Sequence, residues 1–170
     1  MKICILSDSH DNISLLCAAV TQAKEQGALA IFHCGDVVAP STLKKLQQYD
    51  LPVHAIHGNN TGDLYKLAKL SETSKGLIHY YGQDADITLK NRRIFLVHYP
   101  HYARGMATTG DYDVVCCGHT HITSIEKVKN VHGSETIICN PGTVGAVGGI
   151  PATYILGDLH NMSFELVKVI

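Results

Sequence analysis

No apolar run in this chain approaches the length of a membrane-spanning helix. Charge of one sign is lacking too. Fourteen Lys and Arg against 15 Asp and Glu leave a formal charge of −1 and a pI near 6.8, which argues against a strong nucleic-acid-binding surface. The six cysteines (4, 17, 34, 116, 117 and 139) contain no Cys-x-x-C pair, which weakens any structural zinc site. Cys4, Cys116, Cys117 and Cys139 lie in apolar strand-like runs, where a thiol behaves as a small hydrophobe, reduced as in the cytosol. No Gly-x-Ser-x-Gly elbow is present, and neither a Walker loop nor Gly-x-Gly-x-x-Gly follows the first apolar run. There is no internal repeat, low-complexity tract or evident boundary, so residues 1–170 are expected to form one domain. A hydrophobic fraction of 45% and a charged fraction of 17% suit a soluble globular protein. One Lys followed directly by a strand does not read as a signal peptide, so a cytoplasmic protein with no membrane partner is expected.

What is there begins at once. Ile3-Cys4-Ile5-Leu6 is the run of a strand buried on both faces, and it turns abruptly polar at Asp8-Ser9-His10. In extended chain, residues i and i+2 point the same way, so Asp8 and His10 can converge on one point. Alone, the triplet reads equally as a helix-capping Asp beside a surface His. Asn12 suits an N-cap; Leu16, Ala19, Val20 and Ala23 follow at helical spacing, and Gly27 closes the helix. Further strands are expected at Leu29–Cys34 and Val53–Ile56, with a helix capped by Ser41 between them and another at Asp63–Leu70. Beyond Gly76, Leu77–Tyr81, Asp86–Leu89 and Arg93–Val97 read as a meander of short strands. Tyr99–Asp111 reads as a polar loop; strands follow at Asp113–Cys117, Ile122–Val128 and Ser134–Cys139; Thr143–Pro151 is a Gly-rich loop. Two closing strands lie near Thr153–Leu156 and Met162–Val169. A first third of alternating strands and helices, then mostly strands, predicts an α/β fold: two stacked sheets with helices outside, the second sheet more antiparallel.

Strand after strand ends in a metal-ligating side chain: Asp8 and His10, Asp36, Asn59, His98, then His119 and His121. Ligands of open α/β sheets bind at the strands' carboxyl ends. Gly35, Gly58 and Gly118 each precede a candidate ligand and permit a sharp turn with close backbone approach. Carboxylate, imidazole and amide oxygen together suit Mn²⁺, Fe²⁺, Zn²⁺ or Ni²⁺. Two such ions about 3.5–4 Å apart stabilise in-line displacement at phosphorus, one activating water. With Asp8 and Asp36 as the only anionic ligands, the site stays positive and suits a phosphate ester.

The ordered series Asp8-x-His10, Gly35-Asp36, Gly58-Asn59, His98, Gly118-His119-Thr120-His121 resembles the calcineurin-like metallophosphoesterase superfamily. Length, order and Asn140-Pro141-Gly142 make it similar to the small single-domain bacterial and archaeal phosphodiesterases in it, from about Lys2 to the C-terminus. The resemblance implies a four-layer α/β/β/α sandwich of two mixed sheets. It implies that Asp8, His10 and His121 bind one metal, that Asn59, His98 and His119 bind the other, and that Asp36 bridges them. The implied activity is hydrolysis of a small phosphate ester, a diester rather than a monoester, by metal-bound hydroxide, with Mn²⁺ favoured.

Two departures matter. Where much of the superfamily has a proton-donating His, or the small branch Cys-Asp, this chain has Asn60-Thr61. The family's His-Gly-His reads His98-Tyr99-Pro100-His101. Asn59 and His101 are the candidate catalytic residues, His101 as acid to the leaving group; a plain surface role for His101 stays open. His33 is placed to orient Asp36, and His57 either does likewise or is simply buried and hydrogen-bonded. His54, His79, His132 and His160 read as structural, and Arg104 as a phosphate contact or a solvated loop residue. The second functional reading is a protein-interaction scaffold, as in a retromer subunit of this fold with a degraded metal site. Oligomeric state is left open between monomer and homo-oligomer.

Overall fold

A computed structural model describes residues 1–170. Two sheets stack face to face. The first has strand order β11-β10-β1-β2-β3-β4, from β1 (Lys2–Leu6), β2 (Ala28–Cys34), β3 (Val53–Ile56), β4 (Ile78–Tyr80), β10 (Thr153–Asp158) and β11 (Ser163–Lys168). The second has order β5-β6-β7-β9-β8, from β5 (Asp84–Leu89), β6 (Arg92–Val97), β7 (Val114–Cys116), β8 (Thr123–Lys129) and β9 (Glu135–Pro141). Helices α1 (Ile13–Glu25), α2 (Pro40–Lys45) and α3 (Leu64–Thr73) cover the outside of the first sheet, and α4 (Pro100–Thr109) covers the second.

Alternation along the strands makes these layers. In β1, Cys4 and Leu6 face outward onto Leu16, Ala19, Val20 and Ala23 of α1. Ile3 and Ile5 face inward, joining Phe32 and Ile56 against Ile87, Ile94, Leu96, Val114 and Ile137 of the other sheet. On the far side, Phe95, Val97 and Val115 bury Ala103 and Ala107 of α4. Parallel pairing of β1 through β4 and of β6, β7 and β9, with antiparallel strands at other positions, makes both sheets mixed. It also gathers the carboxyl ends of β1, β2, β3, β6 and β7 along one rim.

Three expectations need correction. The stretch after His98 is not a loop: Pro100 opens α4 at its first turn, Ala103 and Ala107 anchor it, and Gly110 ends it in the left-handed conformation (φ 77°). β4 is no part of a meander, since it pairs parallel with β3, whereas β5 and β6 form a hairpin in the opposite sheet. The second sheet is the more antiparallel one as expected, with two of its four strand pairings antiparallel against two of five in the first. Ser41 does not cap α2; Ala39 occupies that position, and the Asp11 carboxylate accepts from Ala39 N and Thr42 Oγ1 at 2.9 and 2.6 Å. Asn12 caps α1 as expected, its Oδ1 accepting from Leu15 N at 3.2 Å.

The half-buried His54 stacks on His79 with centroids 5.0 Å apart and shares a 2.8 Å hydrogen bond with the Tyr81 hydroxyl. Burial, then the neighbouring His79, pushes the His54 pKa down to about 4, and burial first pushes His33 to about 4 as well. Both folded values lie below the ordinary 6.5. The stability tied to the neutral rings is therefore complete above about pH 6.5 and is lost as pH falls toward 4. Chemical denaturation of the metal-free protein should show stability falling through this window, with a shallower slope in His54→Gln; an unchanged slope would remove His54 from the account.

Gly105 sits inside α4 without a left-handed φ, and a Cβ added there meets nothing within 4 Å. Gly105→Ala should therefore stabilise the protein by about 0.5–1 kcal/mol, read as a rise in calorimetric Tm.

Candidate metal centre

The strand ends become sharp turns through backbone that L-residues rarely adopt. Asp8, His10, Asp36, His119 and His121 have φ of 54°, 42°, 55°, 71° and 59°, conformations costing about 1–3 kcal/mol each unless the surroundings impose them. The surroundings are close-packed. A Cβ on Gly118 would overlap the Ser7 hydroxyl and the Asp8 carboxylate, and one on Gly58 would overlap Asp36 and His98. The segment after β9 straps the first turn down: Thr143 Oγ1 and Gly145 N donate to Asp8 O at 2.8 and 3.1 Å, and Val144 N donates to Ser7 O at 3.0 Å. Asn140, buried at the end of β9, donates from Nδ2 to Gly118 O and Thr120 Oγ1 at 3.0 and 3.2 Å. It thereby braces the turn that carries His119 and His121.

These turns bring seven side chains together in two groups. Asp8 Oδ1 lies 3.7 Å from His10 Nε2 and 3.3 Å from His121 Nε2. Asp36 Oδ1 lies 3.5 Å from His98 Nε2, and Asn59 Oδ1 lies 3.0 Å from His98 Nε2 and 2.8 Å from His119 Nδ1. Asp36 stands between the groups, its Oδ2 being 3.5 Å from His10 Nε2. Asp8, His10 and His121 form one cluster able to hold a metal ion, and Asp8, Asp36 and His98 another.

The donor set fits a cation on chemical grounds. Asp8 is 0% exposed and Asp36 2% exposed, yet their only potential ion-pair partners are histidines, and no Lys or Arg pairs with either. Two desolvated carboxylates without a countercharge are costly. His98 Nδ1 lies 2.8 Å from Cys34 O; a carbonyl only accepts, so Nδ1 carries a proton and Nε2 is the ring atom turned toward Asn59 Oδ1 and Asp36 Oδ1. Asp8 Oδ1 and His10 Nε2 are buried without any hydrogen-bond partner. A divalent cation in each group would satisfy these atoms together.

Several expectations for neighbouring residues turn out otherwise. His33 does not hold Asp36; its Nε2 lies 3.0 Å from Ser9 Oγ, so it supports the Asp8–His10 turn. Asn60 holds Asp36 instead, its backbone N and Nδ2 donating to the two carboxylate oxygens at 2.9 and 2.6 Å. His57 is half-buried, with Nδ1 2.5 Å from the Tyr80 hydroxyl, and burial followed by His98 lowers its pKa. Arg104 is paired with Glu126 on the exposed face of α4 and β8. His101 is exposed on the first turn of α4, its ring 5.6 Å from that of Tyr99, which lies 4.7 Å from the His119 ring. Asn60, Thr143 and Tyr99 escaped the sequence reading of the site because their roles arise from contacts across the fold. Only Asn140 carried a signal, in the Asn-Pro-Gly turn.

Comparison with known proteins follows the same lines. The calcineurin-like phosphoesterase superfamily domain matches residues 1–162. Phosphodiesterase MJ0936 of Methanocaldococcus jannaschii is 29% identical over 172 residues, covering 98% of this chain and 99% of that protein. The structure of an archaeal phosphodiesterase superposes with a TM-score of 0.89 at 24% identity, covering 99% of both chains. That of Vacuolar Protein Sorting 29 from Cryptosporidium parvum superposes at 0.64 with 14% identity, covering 98% of this chain and 95% of that one.

Replacing Asp8 by Asn removes a buried charge and leaves an amide oxygen to accept from His119 N, the 2.9 Å bond that Asp8 Oδ2 accepts. Metal-free Asp8→Asn should melt above the metal-free wild type, whereas millimolar Mn²⁺ should raise the wild-type Tm and leave that of the variant nearly unmoved. A variant that melts lower, or that keeps the full Mn²⁺ response, would contradict a charge held for a cation.

Proposed function

The chain belongs to the calcineurin-like phosphoesterase superfamily, and from that membership we propose that it is a metal-dependent phosphodiesterase acting on a small phosphate ester. The observation that carries the proposal is the meeting, at the rim of both sheets, of imidazole nitrogens and two buried carboxylates with no Lys or Arg countercharge, Asp8 Oδ1 and His10 Nε2 being left without a hydrogen-bond partner. Asp8, His10 and His121 would hold one divalent ion and Asn59, His98 and His119 the other, with Asp36 presenting an oxygen to each group. Mn²⁺ is favoured, and the mixed O and N donors also suit Fe²⁺, Zn²⁺ or Ni²⁺. Such a pair supplies Lewis acidity, which acidifies the attacking water and neutralises charge on the phosphoryl oxygens.

The chain's own groups set the geometry. Asn60 fixes both oxygens of Asp36, and Cys34 O fixes the ring of His98. Asn59 and His119, both exposed, stand at the open mouth where the phosphoryl group arrives. His101 lines the cleft that adjoins His98. Its imidazolium protonates the leaving-group oxygen as the P–O bond breaks, a duty Asn60 cannot perform. The diester preference draws on the phosphodiesterase relative at 29% identity, and cytoplasmic localisation draws on five buried thiols. The complete donor set favours catalysis over a scaffold of the same fold.

Hydrolysis of an aryl phosphodiester with Mn²⁺ should fall to background in Asp36→Asn. A wild type that binds Mn²⁺ but turns over no diester or monoester would favour the scaffold instead. His101→Ala should cost about 100-fold on esters of poorly acidic alcohols and far less on p-nitrophenyl esters. Equal losses on the two classes would rule out His101 as the acid.

A further inference from the structure

Beside the metal centre lies a cleft of about 490 Å³, most of whose lining has no part in the hydrolytic chemistry. Its volume falls in the roughly 300–1,000 Å³ range of small-molecule sites. One wall is the outer face of β6, Phe95 and Val97; the other is the stripe His101, Tyr102, Gly105 and Met106 of α4. Positions i, i+1, i+4 and i+5 share a helix face, so this stripe follows from α4 being a helix. His98 and Gly58 line the inner end, which joins the cleft to the metal centre, and Gln83 of the β4–β5 connection and Asp84 at the start of β5 line it as well. No Lys or Arg lines it.

Each feature limits the occupant. Reach of His98 places it within one covalent assembly of a phosphoryl group at the metals, so it is part of the substrate. The lack of Lys and Arg and the presence of the Asp84 carboxylate, which forms no ion pair, disfavour a second phosphate or a carboxylate. The rings of Tyr102 and Phe95 with the Met106 thioether offer flat, polarisable surface, which suits a planar ring. Gln83 and Asp84 supply acceptors for a ring with N–H donors.

Gly105 is the most pointed observation. Glycine weakens a helix interior, yet this one has open space where a side chain would go, and it stands in the wall of the cleft. A helix under selection for stability alone would place Ala or larger there.

Resting on the phosphodiesterase reading, we propose that this cleft is the specificity pocket for a neutral planar aromatic group on the substrate, and that Gly105 keeps it open. The class is thus a phosphodiester of an aromatic or heteroaromatic (nucleoside-type) alcohol, in preference to alkyl diesters and to substrates with a second phosphate next to the first.

Binding and turnover are measured separately with Mn²⁺ present. Phenylphosphonate, adenosine 5′-monophosphate and methylphosphonate are titrated calorimetrically against wild type, Gly105→Ala, Gly105→Leu and Gly105→Phe, with circular dichroism checking that each variant is folded. At least one ring-bearing probe should bind wild type about tenfold or more tighter than methylphosphonate. If adenosine 5′-monophosphate gains over phenylphosphonate, the ring is a nucleobase; the reverse order marks an aryl group. The advantage should survive in Gly105→Ala and vanish in Gly105→Leu and Gly105→Phe. In parallel, the kcat/KM ratio of phenyl over methyl p-nitrophenyl phosphodiesters should fall at least tenfold from wild type to Gly105→Phe. No ring preference in wild type, or a preference that survives Gly105→Phe, overturns the proposal. A Gly105-dependent ring preference without diester turnover supports the pocket while defeating the phosphodiesterase reading.

Discussion

The rest of the structure answers to two carboxylates, Asp8 and Asp36, kept out of water at strand ends without a lysine or arginine to balance them. An isolated buried carboxylate would normally escape its cost by taking a proton or by being replaced. Here the side chains around the carboxylates are histidines and asparagines, held in place by bonds of their own such as that of His98 to Cys34 O. A divalent ion would supply the countercharge that no lysine or arginine provides.

Strain is concentrated at the same turns. Five of the ligands or their turn-mates adopt positive φ, and Val38, two residues past Asp36, does so at 69° despite its branched side chain. Relaxing any one turn would swing a ligand away, and the straps from Thr143–Gly145 and Asn140 resist that at the first and last turns. The glycines at 58 and 118 are steric partners to this: they let one turn's backbone lie against another turn's carboxylate. The site is therefore preorganised by groups that never approach the substrate.

The same logic explains what could be read from the residues. Each strand preceding a ligand is a short apolar run cut off by Gly or a charged residue, so Asp8, Asp36, Asn59, His98, His119 and His121 were all visible as strand ends. The topology that assembles them is long-range, and local pattern is silent on it. β4 resembles its successor β5 in sequence texture, but its sheet is decided by pairing with β3, more than twenty residues back in the chain. Helix α4 was obscured for a different reason. It buries only Ala103 and Ala107 fully, too thin a stripe to stand out among His, Tyr, Arg, Gly and Thr, and its stability comes from Phe95, Val97 and Val115 beneath it. Misreading α4 as a loop also hid the cleft, since its lining is a helix face rather than a segment.

α4 thus serves both sides of its axis under opposing demands. Toward the sheet it needs small side chains so that it can sit close over β6 and β7, and Ala103 and Ala107 provide them. Toward solvent a helix gains most from strong formers, yet that face carries His101, Tyr102 and Gly105, two aromatic rings and a glycine beside the cleft. None of these serves the helix well. Their placement makes sense only if the face is working on something outside the chain. His101 lies on the same face as Gly105, so one element would set both the proton donor and the width of the pocket that receives the substrate's ring. Coupling them on a single rigid helix means that an ester too large for the cleft is also held away from the acid, so selection among substrates and protonation of the leaving group become one geometric condition.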